Sequence, residues 1–167
     1  DPRFSPLLDG SASPEKLIAL LSQMSDALKE AFTSDAFEVA ALTGIAQLRA
    51  DIPSFISQIR AKAPNAKLYY QTVYNPYKGV TLMLSDGSVF DFGKMCDEYI
   101  AKLNDEIIEA ASKLYYTLVD VYSAFESGDV RLVNCNISGD GIPSIDPHPN
   151  ADGHALIASL YGTALLG

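Results

Sequence analysis

Apolar side chains recur at Leu17, Leu20, Leu21, Met24, Leu28 and Phe32, three or four residues apart, the spacing of one helical face. Ser13, Pro14 and Glu15 stand just ahead of this stripe and mark its start. A serine oxygen accepts from the free amides of a first turn, proline suits that turn, and an early acid favours the positive end of the helix dipole. A second helical stripe runs through Ile45, Leu48, Ile52, Phe55, Ile56 and Ile59. Pro53 interrupts it, and because proline lacks an amide hydrogen and crowds the carbonyl four residues back, a kink or a fresh helix start is predicted near Asp51.

The pattern then changes. Lys67-Leu68-Tyr69-Tyr70-Gln71-Thr72-Val73-Tyr74 is rich in aromatic and β-branched residues, is bounded by Asn75-Pro76, and predicts a strand. Over 80–92, two short apolar runs flank Ser85-Asp86-Gly87-Ser88, which fits a small hairpin or an ordered loop. Cys96, Ile100, Leu103, Ile107 and Ala111 share the face of a third helix. A buried-type strand follows over 115–121, a short third one is predicted over 130–134, and a last helix over 151–165. Strand, crossover helix and strand in that order form a βαβ unit, hence parallel strands in a sheet covered on both faces. Two or three such strands leave open edges, so further strands are expected outside this sequence. With no repeat, low-complexity stretch or linker, residues 1–167 are expected to form a single domain or part of one.

Composition narrows the partners. The 48% hydrophobic content, with 9 Tyr and 7 Phe, fills a core and excludes a disordered chain. A formal charge of −9 repels phosphate backbones, so nucleic acid is a poor partner and a neutral or apolar small molecule a better one. No run approaches the roughly 18 apolar residues of a membrane span. Cys96 and Cys135 flank no CxxC pair and are expected to be core thiols rather than a disulfide. The chain opens at Asp1 without a basic-then-apolar leader, which leaves open both an upstream segment and the compartment, including a secreted or cell-surface one.

The candidate chemistry gathers near the end, in Asp146-Pro147-His148-Pro149-Asn150-Ala151-Asp152-Gly153-His154. His148 stands between two prolines just before a helix; prolines remove backbone freedom, and a fixed imidazole is what a general base requires. Asp146, His148, Asp152 and His154 also contain ligand types of a metal-dependent hydrolase. Yet Asp152-Gly153-His154 reads equally as a first helical turn with its acid at the favourable end. Ser138-Gly139-Asp140-Gly141 and Ser85-Asp86-Gly87-Ser88 read as turns.

This block resembles the last motif of the SGNH/GDSL hydrolases, of the form Asp-x-x-His-Pro-Asn followed by Gly-His and a helix. Tyr70-Gln71-Thr72-Val73-Tyr74-Asn75-Pro76-Tyr77 and Leu118-Val119-Asp120-Val121-Tyr122-Ser123-Ala124-Phe125 are similar to that family's fourth and fifth strands with their loops, so the likeness covers about 48–165. The resemblance implies the C-terminal part of a three-layer α/β/α, flavodoxin-like domain. It also implies hydrolysis of a small-molecule ester or lipid-like substrate through a serine nucleophile, a histidine base and an oxyanion hole, with no metal or organic cofactor. His148 would be the base, while Tyr74, Asn75 and Tyr77 would lie at the carboxyl edge of the sheet, where open α/β folds bind their ligands, Tyr74 and Tyr77 either lining an acyl pocket or serving as packing aromatics.

Two departures matter. The family's aspartate stands three residues before the histidine, where this chain has Ile145; Asp146 is two before, so either its carboxylate or the Ile145 carbonyl is left to orient His148. The Gly-Asp-Ser block, the glycine block and the Gly-x-Asn-Asp block do not occur, which implies that the nucleophile belongs to a missing N-terminal segment of the same enzyme. A non-catalytic interaction module that keeps the histidine loop of such a hydrolase is the alternative from a different class.

Overall fold

The computed structural model describes residues 13–128, 131–135 and 146–166. In chain order these form α1 (Pro14–Phe32), α2 (Asp35–Lys62), β1 (Tyr69–Gln71), β2 (Thr81–Met83), β3 (Val89–Asp91), α3 (Phe92–Leu114), β4 (Thr117–Val119), α4 (Val121–Glu126) and α5 (Ala151–Leu166). The result is a mixed α/β fold in which long helices surround small sheets.

Local signals set the helix starts. Ser13 caps α1, accepting from the Lys16 amide, and Ser34 caps α2, accepting from Phe37. The second helix thus begins ten residues before its predicted stripe and runs without a fresh start, keeping Pro53 in its interior. Pro53 and Arg49, whose carbonyl loses its partner, both lie on the exposed side, where water can satisfy that oxygen. The buried Ile52 and Ile56 meanwhile anchor the helix to Ile107 and Tyr116, offsetting the roughly 3 kcal/mol an interior proline costs. Arg49 also forms a two-pronged ion pair with Glu106 of α3, holding that carboxyl below the usual range by direct hydrogen bonding.

β1 and β4 pair in parallel, Tyr69 opposite Thr117 and Gln71 opposite Val119, with the β2–β3 hairpin and α3 between them in sequence. Both parallel strands are shorter than their apolar runs predict, since 115–116 precedes β4 and Val121 already starts α4. The hairpin alternative over 80–92 is the one formed; its turn is held by Asp86 Oδ1, which accepts from the Ser88 amide at 2.8 Å and hydroxyl at 2.6 Å, with Gly87 at φ +82°. Among the described residues, 131–135 do not extend the sheet, and Val133 makes an antiparallel bridge to Pro149. The start of that predicted strand at 130, the Ser138-Gly139-Asp140-Gly141 turn and Ile145 lie outside the described residues.

Successive residues of β1 serve different cores, as strand alternation requires. Tyr69 packs against the cluster that contains Val119, with its ring near that of Tyr161, and Tyr70 against the cluster that contains Ile52 and Ile107, edge-on to Tyr116. Beyond β1 the chain is held by a side chain rather than a strand. Asn104 of α3, only 2% exposed, accepts from the Val73 amide at 2.7 Å and donates to the Val73 carbonyl at 2.8 Å. Asn104→Leu keeps the volume and removes both bonds. It is expected to cost about 1–3 kcal/mol, read as a lower urea midpoint at unchanged slope; an unshifted midpoint would show that water replaces the amide.

Candidate active site

Tyr74 leaves the carboxyl end of β1 and stacks on Phe125 of α4, ring centroids 4.5 Å apart. Its hydroxyl donates to the carbonyl of Pro147 at 3.0 Å. Burial and then the nearby Asp146 carboxylate raise the phenol above its ordinary value, so it remains a donor. The histidine loop is thereby tied to the sheet through the residue before His148.

On its other side the loop lies against 131–135. The Asn134 amide donates to the His148 carbonyl and the Asn150 amide to the Leu132 carbonyl, both at 2.9 Å. These two bonds flank the Val133–Pro149 pair, so Pro149 occupies a position that asks for no amide hydrogen. Asn150 Nδ2 donates to the Arg131 carbonyl at 2.7 Å, and its Oδ1 accepts from the Gly153 amide at 2.9 Å, capping α5. Gly153 is buried against the Leu132 carbonyl, closer than any side chain would allow.

Within this frame Asp146 and His148 meet. Asp146 Oδ1 lies 2.5 Å from His148 Nδ1 and also accepts the His148 backbone amide at 3.0 Å, while Oδ2 accepts from Asn134 Nδ2 at 3.2 Å. At a spacing of two residues the carboxylate folds back over its own loop and comes within reach of the ring. The His148 amide, then its ring, then Asn134 hold the Asp146 carboxyl below the usual range. Stabilisation from this anchor is present above the ordinary carboxylate pKa and is lost as pH falls through the lowered one. The imidazole is 79% exposed and the carboxylate 44%. In a neutral ring, an Nδ1–H donated to this carboxylate leaves the lone pair on Nε2, the nitrogen that could then take a proton.

Other candidates are placed differently. Asn75 is 3% exposed and uses its amide within the chain, donating to the Gly93 carbonyl at 2.9 Å and accepting from the Tyr77 amide at 3.0 Å. Tyr77 packs edge-on against Phe92 in the core cluster that includes Tyr74. Asp152 and His154 are exposed in the first turn of α5, and among the described residues no three His, Cys, Asp or Glu side chains gather as a metal-holding group. Both cysteines are free thiols; burial and then Asp97 push Cys96 up to about 11, so it stays protonated and a poor nucleophile. No helix among the described residues is long and apolar enough to cross a membrane. Asn134 carried no sequence signal beyond the in–out alternation of Val133, Asn134 and Cys135.

Comparisons with curated proteins and with solved structures returned no match. The profile of the GDSL-like lipase/acylhydrolase family matches residues 21–156, from the first helix through the histidine loop into the last helix. The loop that pairs His148 with Asp146 thus falls inside a match covering most of the chain, and the chain belongs to the GDSL-like lipase/acylhydrolase family, whose chemistry is ester hydrolysis.

Proposed function

We propose that this chain is the C-terminal part of a single-domain serine ester hydrolase and supplies its general base, His148, oriented by Asp146. The observation that carries this reading is the 2.5 Å contact between Asp146 Oδ1 and His148 Nδ1 in a loop otherwise pinned on both sides. A serine hydroxyl is a weak nucleophile until a base removes its proton. On this reading Nε2 takes that proton during attack on the ester carbonyl and returns it to the leaving alcohol, while Asp146 stabilises the imidazolium between the two events.

The nucleophile and oxyanion donors belong to a segment N-terminal to this one, completing a three-layer α/β/α domain. In support, β1 has β4 as its one strand neighbour among the described residues, and Leu21, Leu28, Val39, Leu42 and Phe55 remain exposed on α1 and α2. Tyr74 and Tyr77 form a wall of the acyl pocket, and Asn75 sets the turn that joins them. The substrate is a small ester or lipid-like molecule.

A fluorophosphonate probe tests the division of labour. The 167-residue chain alone is expected to remain unlabelled and inactive on an activated ester, and joining it to its upstream sequence is expected to restore labelling at an upstream serine. Labelling of any serine within residues 1–167 would overturn the assignment.

A further inference from the structure

We infer that Asn134 is a positioning residue for the histidine base: it sets the carboxylate that fixes which ring nitrogen of His148 carries the proton. The inference rests on the proposed role of His148 but concerns a residue outside the histidine motif, brought to it from 14 positions upstream by folding.

Three hydrogen bonds leave Asn134 for the loop. Its backbone amide donates to the His148 carbonyl at 2.9 Å. Its carboxamide nitrogen has two hydrogens and two acceptors within reach, Asp146 Oδ2 at 3.2 Å and the Pro149 carbonyl at 3.4 Å. One side chain thus grips the residue two before His148 and the residue one after it. Its own position is fixed from behind, because Val133 and Cys135 are buried in the core cluster and alternation turns Asn134 outward to the loop.

The chemical consequence follows from Asp146 holding the ring through one oxygen. Oδ1 also accepts the His148 backbone amide, and rotation of the carboxylate about its last bond carries Oδ1 off both that amide and Nδ1. A donor fixed on Oδ2 opposes that rotation while leaving the charge in place. Neutral imidazole in water favours the proton on Nε2, the nitrogen that must be free to act as base. The Asn134–Asp146–Nδ1 chain works against that preference.

Nitrogen NMR of the His148 ring in the 167-residue chain, above the ring's titration range, tests this without any turnover. The unmodified chain is expected to show mainly the Nδ1–H form, and Asp146→Asn gives the reference for a ring without its carboxylate. Asn134→Asp preserves shape and the backbone bond but turns the donor into an acceptor facing Asp146; it is expected to carry the tautomer ratio about tenfold toward Nε2–H, one hydrogen bond's worth. Asn134→Ala is expected to move it the same way by less, with the backbone amide shifts of 148–154 retained in both. An unmoved tautomer ratio in Asn134→Asp, or one that moves only as those amide shifts collapse, would reduce Asn134 to a loop tie and overturn the inference. Because the readout is the ring itself, it fails or stands independently of whether His148→Ala abolishes catalysis.

Discussion

On the proposed function, replacing His148 by alanine in a chain joined to its proposed serine-bearing segment is expected to lower ester turnover by about 10²–10⁴-fold, the usual contribution of a positioned general base. The loss belongs in kcat, because an exposed imidazole that moves a proton contributes to the transition state rather than to holding substrate. Folding should be little affected: the ties through Pro147, Asn150 and the backbone of His148 all remain, and the substitution removes the ring's bond to Asp146. Two companions give the result its meaning. His154→Ala is expected to change turnover little, since the described bond of His154 is its backbone amide to the Asn150 carbonyl, which alanine keeps. Asp146→Asn should approach the His148→Ala loss, because an amide nitrogen facing Nδ1 favours the wrong tautomer. Equal losses at His148 and His154, reversed by zinc after chelation of the wild-type enzyme, would transfer the chemistry to a metal.

Gly153→Ala is expected to destabilise the protein by about 2–4 kcal/mol and to detach the histidine loop, although helix propensity alone predicts a gain of roughly 1 kcal/mol. A Cβ at this position would stand 2.1 Å from the Leu132 carbonyl oxygen and 2.9 Å from Pro149 Cβ. The obstacle is backbone, so α5 or 131–135 must move, and either motion strains the Asn150–Leu132 and Asn134–His148 bonds. At this size each kcal/mol corresponds to about 2–4 °C in Tm. Gly162, on the same helix, has nothing within 4 Å of its would-be Cβ, so Gly162→Ala should stabilise by up to about 1 kcal/mol. Thermal melts of the two variants should therefore move in opposite directions. A shared direction would mean that propensity, not the close approach at Gly153, controls the helix.

By itself the sequence determined what is set within one or two turns of chain. Ser13 and Pro14 fixed the start of α1, the stripe from Cys96 to Ala111 fixed α3, and the Gly87 turn suited a hairpin, because caps, helical periodicity and positive φ are properties of neighbouring residues. The His148 motif was legible for the same reason, its spacing being local. Tertiary structure alone decided the rest. Pro53 stays inside α2 because Ile52 and Ile56 are buried against Ile107 and Tyr116, a contact across more than fifty residues that outweighs a local penalty. Residues 131–135 bridge to the histidine loop instead of lengthening the sheet, and that bridge brings Asn134 to Asp146. The carboxylate folds back locally onto the His148 amide, and the loop that carries this pair is fixed by Tyr74 holding Pro147 on one side and by 131–135 holding His148 and Asn150 on the other. Such a pairing depends on where distant backbones are anchored, and hydrophobic burial, which places those anchors, records in the sequence that a residue goes inside but not what it will meet there.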